Sequence, residues 1–430
     1  MPQRQYNRKQ ADVTKRNKRI TLPIPLADYN ELKEDAGAFR QWLDEMIEEY
    51  PELFPAAIEQ GYTLHDVLPA SRKLPQVQLR RIRLKAASAS GQAQVYTIAS
   101  SEVLPYMVGL TDEVEKALFL RRFGVPFWAL SYVFGRDDSY WYRLCTSFGR
   151  NALVSTTIKS PDDLPEHLLA DEKHVRFNGR KGYIATTVGQ DCVLGAALAL
   201  QADTPALTQA YGVFKTEAQT LKAAYAPQTV NTDGWQATQN AWTSLFPAIV
   251  IIECFLHAFL KIRDRCKRRF KDVFDQIQQY VWDIYHAVDP AAFRQQVADF
   301  QTWAGQTLTG SALAAVDKLC AKTETFLLAF DYPEAHRTSN MVDRHMEPLA
   351  RWLFSARFFH GHWRSAELQV RSWALFHNFG PYCPRAQVSQ HFISPAHKLN
   401  GAVYHSNWLH NLLISTSAVG STLNHRIRQN

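Results

Sequence analysis

The chain has 430 residues, 46% hydrophobic, 12% aromatic and 21% charged, which is enough apolar material for more than one core and excludes wholesale disorder. Its net charge of +7 is segregated: residues 1–20, 71–85 and 261–271 each carry a local +6, so the rest of the chain carries −11. Uniform supercharging is excluded, and an acidic body with three basic patches points to a polyanion partner at defined places. Residues 1–20 have almost no apolar content and read as a flexible basic arm. Residues 38–60 place Phe39, Trp42, Leu43, Met46 and Ile47 at helical spacing until Pro51 and Pro55 interrupt them. Residues 77–99 alternate apolar and polar around Ser88-Ala89-Ser90-Gly91, the pattern of a hairpin.

Three short helices follow. The first starts at Thr111 with Glu113 in its opening turn and stops at Gly124-Val125-Pro126; Phe127–Gly135 form the second. Arg136-Asp137-Asp138 turn the chain into the third, Ser139–Leu153. This spacing suits a helix-turn-helix whose last helix reads a groove, and it equally suits a small helical bundle. From 165 the period changes to two. Residues 166–178, 183–190 and 192–200 read as three strands, the first two joined by a turn at Gly179-Arg180-Lys181-Gly182. A helix over 204–226, a short strand ending at Asp233-Gly234, a helix from 236 and an apolar strand over 248–254 complete the order β-β-β-α-β-α-β of an RNase H-like fold. Residues 255–335 and 340–378 carry only helical patterns.

No secretory signal or confident membrane span is found, because Glu253, His257 and Lys261 interrupt the longest apolar run. Six cysteines without a close pair exclude a disulfide framework and argue against a cysteine zinc site. A reduced, intracellular protein is expected.

Asp171 lies mid-strand beside Glu172, and alternation allows only one of the two to face the core. Asp233 ends the fourth strand, which neighbours the first in an RNase H-like sheet. Two carboxylates brought together repel unless a hard, oxygen-loving ion such as Mg²⁺ bridges them. Two such ions about 4 Å apart would activate a water or a 3′-hydroxyl and stabilise the leaving oxygen. Each signal alone has an ordinary explanation, Asp-Gly as a turn and Asp171 as an edge residue.

Together, LLADEKHVRFNGRKGYIATTVGQDCVLGAAL and VNTDGWQATQNAWTSLFPAIVIIECFLHAFLKIRDR resemble a bacterial insertion-sequence DDE transposase related to the Mutator-like superfamily. The resemblance spans about 165–380. It implies an α/β RNase H-like catalytic core, a mixed five-stranded sheet, with an all-α insertion and an N-terminal α-rich DNA-binding region. Taken with the patterns outside that span, the expected division is an arm (1–20), an N-terminal region with the hairpin (21–110), a helix-turn-helix-like region (111–155), the first part of the core (160–262), the insertion (263–337), a core helix with the third acid (338–380) and a C-terminal tail (381–430). The implied catalytic and metal-binding acids are Asp171, Asp233 and Asp343, the last three residues after Asn340 where the family has Glu; Glu347 is the alternative third acid. Cys254 and His257 match the family's Cys-x-x-His pair and are the implied accessory residues.

The resemblance further implies two Mg²⁺ ions, replaceable by Mn²⁺, and a protein that is cytoplasmic in a bacterium, nucleoid-associated when bound to DNA and without a membrane partner. Its partner would be double-stranded DNA, both transposon ends and target, held by a homodimer or higher oligomer. Candidate DNA contacts are Arg16, Lys18 and Arg19 in the arm, Arg80, Arg81 and Arg83 at the hairpin, Arg265, Lys267, Arg268 and Arg269 after the fifth strand, and Arg351. Arg344, Arg351, Arg357, Arg364 and Arg371 would share a face if their helix were continuous, though Gly361 argues for a break. Trp235, Trp352 and Trp363 are candidate base-stacking residues, with core positions the simpler reading. A nuclease lacking strand transfer and an inactive transposase-derived DNA-binding protein are the alternative functions. Deleting residues 1–20 is expected to weaken DNA binding and flatten its salt dependence while sparing the chemistry, as measured by binding titrations at several salt concentrations.

Overall fold

The computed structural model describes residues 18–87, 91 and 93–417. The chain divides into two compact units, one of Met1–Asp163, Thr220–Lys222 and His362–Asn430, the other of Leu164–Gln219 and Ala223–Gly361. The whole is mixed α/β with two mixed sheets.

The first unit opens with β1 (Arg19–Leu22), α1 (Leu26–Leu32), α2 (Ala36–Glu49), β2 (Tyr62–Leu68), β3 (Leu79–Ala87) and β4 (Ala93–Ser100). Their sheet runs β1-β4-β3-β2, with β3 antiparallel to both neighbours and β1 parallel to β4. The expected hairpin is β3–β4; Ser88–Ser90 of its turn lie outside the described residues. The arm expected over 1–20 is corrected at its end. Ile20 and Leu22 alternate into the core, fully buried, which makes residues 19–22 a strand. The half-buried Arg19 guanidinium donates to the carbonyls of Leu104 (3.0 Å), Ser100 (3.4 Å) and Val103. A deletion through residue 20 would therefore damage this sheet; the rest of the expected arm, residues 1–17, lies outside the described residues.

The three predicted helices are present as α3 (Asp112–Arg122), α4 (Phe127–Phe134) and α5 (Asp138–Phe148), followed by α6 (Leu153–Thr157). Asp137 caps α5 by accepting from the Tyr140 amide at 2.9 Å. Thr111 does not cap α3; its hydroxyl donates to the Ser101 carbonyl at 2.6 Å.

The second unit contains β5 (His167–Phe177), β6 (Arg180–Gly189), β7 (Cys192–Ala199), α7 (Thr204–Leu221), β8 (Thr229–Thr232), α8 (Gln236–Leu245) and β9 (Val250–Glu253). Its sheet runs β7-β6-β5-β8-β9; β5, β6 and β7 are antiparallel, whereas β8 is parallel to both β5 and β9. The β5–β6 turn is tighter than the expected 179–182. Asn178 (φ 47°) and Gly179 (φ 79°) turn the chain alone, so Arg180, Lys181 and Gly182 belong to β6. Two successive left-handed residues suit a two-residue hairpin, and Asn-Gly is the pair that adopts them most readily.

Helices α9 (Phe255–Arg269), α10 (Phe274–Tyr285), α11 (Pro290–Thr307), α12 (Gly310–Cys320) and α13 (Thr323–Asp331) build the all-α segment, which begins at 255 rather than 263. It has its own core, including Ile262, Ile284, Phe300 and Val316, all fully buried. Helix α14 (Asn340–Ser355) then packs back on β5 and β6.

The helix expected over 338–380 is broken. Arg357 (φ 52°) and Gly361 (φ 83°) turn the chain, and α15 (Trp363–Phe379) belongs to the first unit. The five arginines therefore share no face, and Arg371 is buried, donating to the carbonyls of Gly149 (3.0 Å) and Asn151 (2.7 Å). The segment expected as a tail is structural too: after α16 (Pro384–Gln390) and α17 (Pro395–Asn400), α18 (Trp408–Ser415) buries Leu409, Leu412, Leu413 and Ile414 completely. Among the described residues no helix is long and apolar enough to cross a membrane.

Close approach of α5 and α15 depends on one glycine. A β-carbon at Gly149 would lie 2.0 Å from the Leu368 carbonyl oxygen. Gly149→Ala is expected to destabilise the first unit by about 1–3 kcal/mol or more, since backbone must move, and urea unfolding measures it.

Candidate functional site

The register of the second sheet brings the two acidic strand positions together. Leu169 on β5 pairs with Asn231 on β8, and two residues further along each chain stand Asp171 and Asp233. Along β5 the pleat separates Asp171 from Glu172. Glu172 faces the core, 7% exposed, and accepts hydrogen bonds from the Tyr211 hydroxyl of α7 (2.6 Å) and the Thr238 hydroxyl of α8 (2.7 Å). Burial still outweighs these bonds and pushes its carboxyl up to about 7. Asp171 points the other way, its Oδ1 accepting from the Glu172 amide at 2.8 Å.

Beyond β8, the Asp233 carboxylate accepts from the Trp235 amide at 2.9 Å and closes a turn that Gly234 (φ 85°) makes possible. A side chain at 234 would meet the Glu253 carboxylate and the Lys322 ammonium, each at 3.3 Å, which are themselves ion-paired. At the end of β9 the Cys254 amide donates to the Thr232 carbonyl (2.7 Å), and α9 begins at the next residue.

The loop before α14 supplies the third side. The Asn231 side-chain Nδ2 donates to the His336 carbonyl (2.8 Å) and the Phe255 backbone amide to the Arg337 carbonyl (3.2 Å), which fixes residues 336–337 against the sheet ends. Ser339 follows, buried at 2%. Its amide donates to Cys254 Sγ (3.1 Å), and its hydroxyl lies 3.2 Å from Cys254 Sγ, 3.2 Å from His257 Nδ1 and 3.3 Å from the Asp343 carboxylate. One serine thereby ties together β9, the first turn of α9 and the first turn of α14.

The electrostatics show which residues share a field. Burial first, then the charges of Asp233 and Asp343, push Asp171 up to about 6. His257 is raised to about 9, chiefly by its hydrogen bond with Cys254, and also by Asp233 and Asp343. Burial raises the Cys254 thiol, but hydrogen bonds with His257 and Ser339 outweigh it and leave the thiol below its ordinary value. Asp171, Asp233, Asp343, Cys254 and His257 are thus gathered into one neighbourhood. Glu347 is not among them: it is exposed and pairs with Arg351 at 3.3 Å.

The donor set, three carboxylates offering only oxygen, suits a hard divalent ion, which would offset both the burial and the lesser repulsion from Asp233 and Asp343 that raise Asp171. Among the described residues no three His, Cys, Asp or Glu side chains stand close enough to form a ligand set without rearrangement.

The candidate DNA contacts fare unevenly. Lys18, Arg83, Arg265 and Arg351 are exposed. Arg19 is half-buried and donates to three backbone carbonyls; Arg80 donates to the Lys33 carbonyl and lies over the Phe39 ring; Arg81 pairs with Asp66. Arg16 and the side chains of Lys267, Arg268 and Arg269 lie outside the described residues. Of the aromatic candidates, Trp352 is a core residue at 3% exposure, Trp235 packs edge-on against Tyr183, and Trp363 donates to Glu367.

Sequence reasoning missed Ser339, Tyr211, Thr238 and Lys322. Ser339 stands directly before Asn340, the residue from which the third acid was counted, so its position carried a signal. The other three become visible only when separate elements pack.

Because the folded-state value of Asp171 lies above the unfolded value of about 3.9, its neutral form stabilises the fold below that pH, and the contribution is lost as pH rises through about 6. Asp171→Asn is therefore expected to gain about 1–3 kcal/mol over the parent at pH 8 without divalent ions, the advantage vanishing near pH 4, as followed by urea unfolding. No protein-family model matches the sequence, and comparison with curated proteins gives no match.

Proposed function

We propose that the chain is a DNA transposase with an RNase H-like catalytic core, cutting at the ends of its element and joining the freed 3′ ends to target DNA. The observation that carries this reading is the convergence of Asp171 in the middle of β5, Asp233 just past the end of the adjacent parallel strand β8 and Asp343 in the first turn of α14, where burial and then the other two acids raise Asp171 to about 6. The order β7-β6-β5-β8-β9, with three antiparallel strands followed by two parallel ones, is that of RNase H-like sheets and supports the assignment. So does the interposed α9–α13 segment between the second and third acids.

Asp171, Asp233 and Asp343 would hold Mg²⁺, which when bound supplies activation of a water or 3′-hydroxyl and stabilisation of the leaving oxygen. The chain's own task is to keep those carboxylates in place. Glu172, anchored by Tyr211 and Thr238, locks β5 from below, so Asp171 cannot rotate into the core. The Asp233 turn holds its carboxylate against the Trp235 amide. Ser339 sets Asp343 relative to Cys254 and His257, and the raised His257 keeps a proton and a positive charge beside the acids. That charge would favour a phosphodiester oxygen in the same place.

Asp171→Ala and Asp233→Ala are each expected to lower Mg²⁺-dependent joining of a 3′-hydroxyl oligonucleotide to a plasmid by about a thousandfold or more, while duplex binding persists. Asp343→Asn is expected to match them and Glu347→Gln to leave joining intact. Wild-type cleavage without joining identifies a nuclease instead, and joining that survives the loss of Asp171 or Asp233 refutes the assignment.

A further inference from the structure

Helix α5 carries two stripes at the same spacing. Trp141, Leu144, Cys145 and Phe148 are buried at i, i+3, i+4 and i+7, which fixes the helix on the first unit's core. Two residues further round, Arg143, Thr146 and Ser147 begin the same spacing and Arg150, in the turn just past the helix end, continues it; all four line the open side. They border two adjoining clefts of about 620 and 340 Å³, which share Pro105, Tyr106, Ser147 and Arg150. Lys18 lines the larger cleft and Lys73 the smaller.

Charge and backbone both mark this surface. Among the described residues no Asp or Glu lines either cleft, although the chain outside its basic patches is acidic. Lys18, Lys73, Arg143 and Arg150 are exposed, and among the described residues none forms an ion pair. Asp137, the acid that feels Arg143, is occupied at the N-terminus of α5 by Ser139 and the Tyr140 amide. Between the clefts Tyr106 is 73% exposed at φ 62° and is followed by Met107 at φ 52°. Consecutive left-handed non-glycine residues cost about 1–3 kcal/mol each. Here that strain holds an aromatic ring in solvent, with Arg150 3.5 Å from its hydroxyl.

We propose that this α5 face, with Lys18, Lys73 and Tyr106, is the surface that takes a DNA duplex, the lysines on phosphates and the α5 stripe on a groove. The inference rests on the transposase reading and assigns its DNA contact to named side chains. A helix stripe flanked by separated cations suits a duplex, whereas a single-strand surface offers a row of stacking rings, and Tyr106 is the one exposed ring among the described lining residues.

The test uses the full chain and a random-sequence duplex of about three helical turns, with binding followed by fluorescence anisotropy at several salt concentrations. Arg143→Glu with Arg150→Glu is expected to weaken binding about tenfold or more, whereas Arg40→Glu with Lys116→Glu, the same charge change elsewhere on this unit, leaves it within about twofold. Lys18→Gln with Lys73→Gln lowers the salt slope by about 2. Tyr106→Gly, which fits the left-handed backbone, keeps or raises the melting temperature while weakening binding, and so remains informative if charge reversal disturbs folding. Equal effects of the two charge-reversed pairs, or wild-type binding by all the groove variants, overturn the groove while leaving the transposase reading intact. Groove-dependent binding by a wild-type chain that joins no strands upholds the groove and overturns that reading. Tighter groove-dependent binding of single-stranded RNA of the same length overturns the assignment to duplex DNA.

Discussion

Strand β5 must hold two adjacent carboxylates away from bulk water, and much of the second unit is arranged around that demand. The pleat forces Asp171 and Glu172 to opposite faces, so they cannot share a solution. Glu172 is satisfied inside by two hydroxyls, one from α7 and one from α8. These bonds tie both helices to the strand that carries Asp171. An unsatisfied carboxylate there would cost several kcal/mol, so the packing of α7 and α8 and the placement of Asp171 form one constraint.

The opposite face is organised by a smaller hub. Ser339 touches Cys254, His257 and Asp343, each on a different turn of chain. A hydroxyl can donate once and accept twice, so it joins a thiol, an imidazole and a carboxylate without itself becoming charged. Through it the start of α14 is fixed to the end of β9, and the α9–α13 segment can occupy the sequence between them without disturbing that junction. On the proposed reading, this is how a third acid distant in sequence reaches the first two.

Charge is distributed by similar trade-offs. A basic segment in sequence is not a basic surface. Arg19, Arg80 and Arg81 spend their guanidinium groups on carbonyls, an aromatic ring and Asp66, because their strands bury the neighbouring residues. One exposed, acid-free group of cations, Lys18, Lys73, Arg143 and Arg150, instead gathers from three separate stretches of the chain.

The sequence by itself determined most local elements and the candidate acids. Strand alternation, the Asn178-Gly179 and Asp233-Gly234 turns and the helix stops at Gly124 and Gly361 are short-range effects, since they depend on backbone freedom and neighbouring side chains. Asp171, Asp233 and Asp343 could be named because a strand centre, a strand end and a helix start are local positions. The tertiary structure alone decided which carboxylate of β5 faces inward, that Asp343 rather than Glu347 lies near the other two, and that residues 19–22 and 408–415 belong to a core. Those outcomes depend on partners tens to hundreds of residues away, such as Tyr211 for Glu172 and Ser417 for Thr21. A pattern of period two or 3.6 says which residues are buried together locally, but which distant group satisfies a buried charge is settled only when the elements meet.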